Sequence, residues 1–283
     1  MRRQSMPSAD AGDRASWPVW TAPIALLVGL VLGSVATIVV DLVAHAFGSS
    51  LSHPSPAANI AADIAFDACF VATALALAAV RGRPRASQFG YRRVALGRGA
   101  AALAIAAIVY YGASAVYSDA LDLHQTDRLP SDLGVTHSTA ALVAAAVFVC
   151  VLAPIAEELF FRGFLFGTLR ELPARIGRVD LAPWIAALVT GALFGAAHLG
   201  SAPAVFLAPL ALLGFVLCLL RWRTGSLYPC MALHAANNAL ALGVNQLRWP
   251  ALPILGLIAA SWLVVGAATL PLSAPRAGGR SVA

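Results

Sequence analysis

Long apolar segments dominate this sequence and constrain its fold more than any other feature. Eight stretches of about 17–25 residues are long enough to cross a hydrocarbon core of about 30 Å as helices. The chain is 60% hydrophobic and 11% charged, whereas about 25% of the residues in a soluble domain are charged. The sequence therefore predicts an all-α, polytopic integral membrane protein with about eight transmembrane helices. The predicted spans cover residues 22–46, 56–80, 99–118, 138–160 continuing to about 170, 182–199, 203–220, 226–244 and 251–272.

The basic residues predict the orientation of these helices. All 19 are arginine, and all but three fall in segments on one side of the predicted membrane; Arg128 and Arg248 lie on the other side and Arg162 within a span. Because arginine-rich loops stay in the cytoplasm, both termini are predicted to be cytoplasmic. Arginines split among short loops favour contact with lipid headgroups and not nucleic-acid binding. The arginine- and alanine-rich composition suggests a high-GC bacterium, so we expect the inner (cytoplasmic) membrane.

Three charged residues lie inside the fourth predicted span. A charge at the centre of a bilayer costs at least ~2.5 kcal/mol, so such residues usually face a cavity or a partner. Glu158 and Arg162 are four residues apart and can pair on one helix face, whereas Glu157 is rotated by about 100°. The spacing thus predicts a neutralised pair beside one available carboxylate.

Two later spans carry further polar side chains. The fifth predicted span ends with Phe194 and His198 one turn apart, and the seventh places His234 and Asn238 one turn apart. At a rise of about 1.5 Å per residue, Glu157, His198 and Asn238 each lie about 20–21 Å from the cytoplasmic ends of their helices, and His234 about 15 Å. The polar groups are therefore predicted to converge on one level, provided that the fourth helix continues to about residue 170.

The motifs Glu-Glu-x-x-x-Arg, Phe-x-x-x-His and His-x-x-x-Asn occur in this order on separate spans. This pattern resembles the CAAX protease and bacteriocin-processing (CPBP) family of intramembrane endopeptidases. The resemblance covers roughly residues 85–245. It implies an eight-helix fold around an interior polar cavity and hydrolysis of a peptide bond in a membrane-associated protein or peptide.

The resemblance also implies roles for individual residues. Glu157 is the expected general base, and His198 holds and polarises the attacking water. His234 and Asn238 are expected to stabilise the tetrahedral oxyanion. The remaining motif residues are expected to support the site: Glu158, Arg162 and Phe194.

The sequence leaves two questions open: whether the site holds a metal ion, and which substrate is cleaved. The implied mechanism needs no cofactor, but Glu157, His198 and His234 would also form a His2Glu set, which is a ligand set of catalytic zinc. The substrate is of the CAAX type, as in eukaryotic relatives, or a bacterial peptide precursor or membrane protein.

The sequence predicts a division of the chain into four parts. Residues 1–20 predict a disordered cytoplasmic tail, residues 21–84 a helix pair, residues 85–245 the catalytic helical core, and residues 246–283 the last helix and a second cytoplasmic tail. Phe89 and Tyr91 are expected at the level of the headgroups, and His124 and His137 in a solvated outer loop. The four cysteines lack metal-ligand spacing and are expected to be packing residues.

Two other classes of function compete with the endopeptidase. One is a catalytically idle bacteriocin-immunity or scaffold protein that binds a peptide in the same cavity. The other is a small transporter with a proton path through Asp63, Asp67 and Glu157, for which inverted repeats and broken helices would be expected. The presence of every motif residue favours the endopeptidase, because binding alone needs no aligned base and oxyanion donors.

Overall fold

The structure, a computed structural model, describes residues 15, 17–122, 132–136 and 138–273. Within these ranges the chain is almost entirely helical. The helices are α1 Thr21–Ala46, α2 Pro56–Ala78, α3 Ala86–Phe89, α4 Leu96–Ala120, α5 Thr139–Leu169, α6 Ala182–Ala196, α7 Ala204–Thr224, α8 Tyr228–Leu240 and α9 Ala251–Thr269. Predictions made for His124, His137 and most of the tail 1–20 lie outside the described residues.

Short irregular elements complete the described chain. Turns of 3₁₀ helix follow α2 at Ala79–Arg81 and α9 at Leu270–Leu272, and a π-helical turn over Ala241–Gln246 extends α8. Between α5 and α6, β1 (Arg175–Ile176) pairs antiparallel with β2 (Val179–Asp180). The intervening Gly177 has a φ of +58°, which glycine adopts without steric cost at a tight hairpin turn.

The all-α, polytopic prediction is confirmed, but the count of eight spans is not. Of the described helices, six are long and apolar enough to cross a membrane. The fifth predicted span forms α6, which is apolar but has only 15 residues, and the seventh forms α8 with 13 residues before its π-helical extension. The prediction that the fourth helix continues to about residue 170 is confirmed, because α5 runs unbroken from Thr139 to Leu169.

Helices α1 and α2 form a hairpin whose contact depends on two glycines. A Cβ atom at Gly29 would lie 2.8 Å from the ring of Phe70, and one at Gly33 would lie 2.7 Å from the ring of Phe66. Because the glycines have no side chain, the two phenylalanine rings fit against α1. A larger residue at either glycine would occupy the space of the ring. Ser55 caps the start of α2 by accepting a hydrogen bond from the Ala58 amide at 3.3 Å.

Helices α6 and α7 approach each other even more closely. A Cβ atom at Gly191 would lie 2.7 Å from the Phe215 backbone nitrogen, and one at Gly195 would lie 2.6 Å from the Leu207 carbonyl oxygen. Small residues four apart allow such backbone contact between membrane helices. The contact fixes α6, and therefore the turn that follows it, against the rest of the bundle.

The segment before α1 packs into the protein. The Trp17 ring stacks on Phe89 at 4.9 Å and on Phe164 at 5.5 Å, and its Nε1 donates a hydrogen bond to the Thr168 hydroxyl at 2.6 Å. Trp17 therefore anchors the chain ahead of α1 against α3 and α5. Phe89 is buried in this cluster and Tyr91 is buried beside Tyr228, so both rings face the protein; their expected headgroup depth stays a prediction.

The core lies around the second half of α5. Phe160, Phe161, Phe164 and Phe194 are buried in one cluster with leucines of α7. The cysteines are free thiols in the described structure, and Cys150, Cys218 and Cys230 are buried while Cys69 is half-buried. The expectation that they are packing residues agrees with these positions.

Candidate active site

Helix α5 is irregular where it carries the predicted catalytic carboxylate. Two π-helical segments, Phe148–Leu152 and Glu158–Leu165, flank a short α-helical segment, Ala153–Glu157. Pro154 has no amide hydrogen to donate into the helix, and such losses are commonly absorbed by a local change of helical pitch. π-Helical turns are frequent at functional sites, and here they set the direction of Glu157 and Glu158.

Glu158 and Arg162 form an ion pair that is closed to solvent. The Arg162 Nη1 donates to Glu158 Oε1 at 2.8 Å, and both side chains are 0% exposed. A second donor, Nη2, lies 3.4 Å from the Gly214 carbonyl, and the guanidinium lies 4.3 Å from the centre of the Phe194 ring. Because the pair is buried and hydrogen-bonded, removal of either partner would strand a charge.

His234 joins this pair from α8. Its Nδ1 lies 2.8 Å from Glu158 Oε1, and its Nε2 lies 3.8 Å from Glu157 Oε2. Glu158 Oε1 already accepts the hydrogen bond from Arg162, and a carboxylate oxygen accepts from His234 as well, so Nδ1 carries the proton. The imidazole, which is 3% exposed, therefore presents Nε2 to Glu157. The sequence analysis did not foresee that Glu158 orients His234, although the pairing of Glu158 with Arg162 follows from their spacing.

His198 lies in the turn just beyond the end of α6. Its Nδ1 lies 2.8 Å from the Phe194 carbonyl oxygen, and a carbonyl only accepts, so this nitrogen also carries the proton. The Phe194 ring is buried between the two histidines, with ring centroids 5.0 Å from His198 and 5.6 Å from His234. In its neutral form His198 therefore has the Nε2 lone pair available to accept a hydrogen bond from a water.

Asn238 is held by the irregular part of α5. Its Nδ2 donates to the Val149 carbonyl at 2.8 Å, within the first π-helical segment. The neighbouring Asn237 Nδ2 lies 3.4 Å from Asn238 Oδ1, and Tyr111 Oη lies 3.5 Å from Asn237 Oδ1. Asn237 and Tyr111 were not predicted as site residues from the sequence. The Asn-Asn pair was a visible signal for Asn237, whereas only the packing of α4 against α8 brings Tyr111 to the site.

One cavity of about 670 Å³ brings the predicted catalytic residues together. The supporting Phe194 lines it as well, whereas Glu158 and Arg162 lie behind its wall. Glu157 is 20% exposed and its Oε2 has no hydrogen-bond partner. A carboxylate, two imidazoles and an amide thus line one cavity, which suits water activation and oxyanion stabilisation. The predicted catalytic residues on its wall are Glu157, His198, His234 and Asn238.

The alternative zinc set of Glu157, His198 and His234 is not assembled in this arrangement. Across the part of the chain that the structure describes, no three side chains of His, Cys, Asp or Glu lie together in a way that could hold a metal ion. Glu157 and His234 are neighbours, but His198 does not complete a ligand set with them.

Comparisons with known proteins agree with the motifs. Residues 139–240 match the sequence model of the Rce1-like family, described as type II CAAX prenyl endopeptidase Rce1-like. The resemblance that the three motifs indicate is thereby confirmed for this region, which holds every predicted catalytic residue.

Two curated relatives were found, both without an assigned function. An uncharacterized 24.3 kDa protein of Escherichia coli is 32% identical over 101 residues, which are 36% of this chain and 44% of that protein. The uncharacterized protein YyaK of Bacillus subtilis (strain 168) is 36% identical over 102 residues, 34% of this chain and 32% of that protein. The chain thus spans less than half the length of these relatives. No solved structure matches.

Proposed function

We propose that this chain, whose residues 139–240 match the Rce1-like type II CAAX prenyl endopeptidase family, is an intramembrane endopeptidase. It hydrolyses a peptide bond of a membrane-associated protein or peptide, in CAAX-type or peptide-precursor processing. The observation that carries the proposal is the convergence of one partly exposed carboxylate, two histidines and an asparagine on one cavity within the hydrophobic bundle.

Glu157 and His198 hold the attacking water in this mechanism. Glu157 lines the cavity and its side chain is 20% exposed, so its carboxylate can accept a proton from a water that enters. His198 Nε2 accepts the other water hydrogen and orients the oxygen lone pair toward the substrate carbonyl. As the oxygen attacks, Glu157 takes the proton and then returns it to the leaving nitrogen, so the peptide bond breaks with no other acid or base.

Asn238 and His234 stabilise the oxyanion. Asn238 uses one amide hydrogen for the Val149 carbonyl and has the second for the substrate oxygen. His234 Nδ1 donates to Glu158, so Nε2 can donate to the oxyanion only when the ring is protonated. A preorganised donor of this kind is worth roughly 3–4 kcal/mol of transition-state stabilisation.

The proposal also includes the extent of the catalytic core and the location of the protein in the cell. The catalytic helical core is residues 85–245, preceded by a helix pair at 21–84 and followed by the last helix within 246–283. The protein lies in a bacterial inner membrane with both termini in the cytoplasm. The arginine-rich loops after α2 and α5 support this orientation.

Glu157→Gln tests the function directly, because it keeps the side-chain shape and removes the proton acceptor. Membranes from cells with the wild-type protein and with Glu157→Gln are compared by mass spectrometry of peptide termini. We expect termini that occur only with the wild type, and for a purified substrate a fall in kcat/KM of at least ~10²–10⁴-fold at equal abundance. An idle peptide-binding protein would show no such termini, and activity in Glu157→Gln equal to the wild type would refute the proposed base.

A further inference from the structure

Two aspartates outside the catalytic motifs also line the active-site cavity. Asp63 and Asp67 lie one turn apart on α2, so their side chains share a face, and both belong to the wall that includes Glu157. Both are half-buried. The hydrolysis described above does not use them.

The packing of α2 on α5 places Asp67 at the level of Glu157. The Phe70 and Phe160 rings meet edge to face with centroids 4.7 Å apart, and each ring is three residues beyond one of the two carboxylates. Near the other end of α2, Asn59 Nδ2 donates to the Asp132 carbonyl, just ahead of α5. The helices therefore run in the same direction, and Asp67 and Glu157 occupy equivalent heights.

No cation of the described chain neutralises these aspartates. None of the ion pairs found between described residues involves Asp63 or Asp67. The described part of the cavity wall contains no arginine, and His234 Nε2 lies 3.8 Å from Glu157 Oε2. Asp63, Asp67 and Glu157 thus place three acidic side chains on one cavity, where a positively charged occupant would favour their charged forms.

We propose that Asp63 and Asp67 form a subsite that binds a cationic side chain, Lys or Arg, of the peptide substrate close to the scissile bond. The inference rests on the proposed endopeptidase function and adds a substrate class to it: peptides with a basic residue beside the cleaved bond. Two carboxylates one turn apart can accept several hydrogen bonds from an ammonium or guanidinium group. Because α2 lies outside the region that matches the family, this selectivity is a property of the first helix pair.

Binding of matched peptides tests the subsite. The probes are three fluorescein-labelled alanine–leucine peptides that differ only in a central Lys, N-acetyl-lysine or Glu, and the full chain carries Glu157→Gln in lipid nanodiscs to prevent turnover. We expect the Lys peptide to bind at least about tenfold more tightly than the acetylated one, and the Glu peptide to bind most weakly. Equal affinity for the Lys and N-acetyl-lysine peptides would overturn the proposal.

Substitutions of the two aspartates test whether they cause the preference for the Lys peptide. Asp63→Asn with Asp67→Asn should make the affinities for the Lys and N-acetyl-lysine peptides equal. Asp119→Asn, a matched change at the exposed end of α4 outside the cavity wall, should leave the preference intact. If the preference for the Lys peptide survives the double substitution, other residues cause it and the subsite is refuted. If the double variant does not fold, Asp67→Asn alone should at least halve the ratio of the two affinities.

The subsite and the catalytic function fail in different ways. A Lys preference that depends on Asp63 and Asp67, in a protein whose Glu157→Gln variant loses no peptide termini, would support the subsite and refute the endopeptidase. Termini that depend on Glu157 but show no enrichment of Lys or Arg beside the cleaved bond would support the endopeptidase and refute the subsite.

Discussion

The Glu158 carboxylate accepts a hydrogen bond from His234 Nδ1 at 2.8 Å, with the same oxygen that binds Arg162. One buried oxygen thus joins the neutralised pair of α5 to an imidazole of α8. Glu158 is therefore more than the partner of an arginine, since it sets both the tautomer and the direction of His234. This double role allows stability and activity to be separated by substitution.

Glu158→Gln should lower the amount of folded protein, because a buried Arg162 without its partner costs ~3–5 kcal/mol. Replacement of the pair by Glu158→Leu with Arg162→Met should recover much of this loss, since apolar residues of similar volume often replace a buried ion pair without penalty. Activity should stay low in the double variant because His234 is no longer oriented. Fluorescence-detected size-exclusion chromatography and thermal melting measure the folded protein. Normal accumulation of Glu158→Gln and Arg162→Ala without activity would show instead that the pair acts directly in catalysis.

Asn238→Ala should reduce kcat by ~10²–10³-fold through loss of one oxyanion donor. KM should change little, because the ground-state carbonyl gains less from this donor than the oxyanion does. Asn237→Ala is the matched control one position away, and its loss should stay below about tenfold because Asn237 makes only long hydrogen bonds, to Asn238 and Tyr111, and donates to no oxyanion in the proposed mechanism. Steady-state kinetics on a cleaved peptide distinguish them. A larger loss at Asn237 than at Asn238 would transfer the oxyanion role to Asn237.

Metal dependence is measured on the purified protein. The mechanism proposed above predicts that activity survives a chelator and that zinc is not bound stoichiometrically. In a zinc enzyme, chelation would abolish cleavage, added zinc would restore it, and His198→Ala would release the metal. Elemental analysis and the activity assay together distinguish the metal-free enzyme from the zinc enzyme. Stoichiometric zinc, with activity that is lost on chelation and restored by added zinc, would refute the metal-free mechanism.

Substitution of Gly191 tests the contact of α6 with α7. Gly191→Val should destabilise the protein by several kcal/mol, since the new Cβ would lie 2.7 Å from the Phe215 backbone nitrogen and overpacking of this kind costs ~1–3 kcal/mol or more. Gly112 on α4 is the control, because a Cβ there meets nothing within 4 Å; Gly112→Ala should leave stability unchanged or raise it by ~0.5–1 kcal/mol. Melting temperatures in one detergent compare the two, and equal effects would show that α6 and α7 are not held by this contact.

Reporter fusions test the orientation. Fusions after Arg93 and after Arg178 should report the cytoplasm, and a fusion at Asp122 should report the opposite side. The arginine-rich loops should therefore share one compartment. An external reading after Arg93 or Arg178 would contradict the proposed topology.

Sequence alone predicted the features that depend on local pattern. The lengths of the apolar stretches predicted the long helices, and the four-residue spacing of Glu158 and Arg162 predicted their pairing. The roles of Tyr111 and Trp17 could not be predicted, because both depend on which helices become neighbours. The π-helical segments of α5 also escaped prediction: Pro154 marks a helix irregularity, but its form depends on the packing around it.

The intrahelical pairing of Glu158 with Arg162 bears on how the protein enters the membrane during synthesis. A lone charge at mid-bilayer costs roughly 2.5–3.5 kcal/mol, and α5 emerges from the ribosome well before α7 and α8 supply Gly214 and His234. Because α5 carries both Glu158 and its counter-ion, two of its three mid-helix charges compensate each other without waiting for those helices. His234 can then dock on a carboxylate that is already paired, so completion of the catalytic centre is not a condition for insertion of α5.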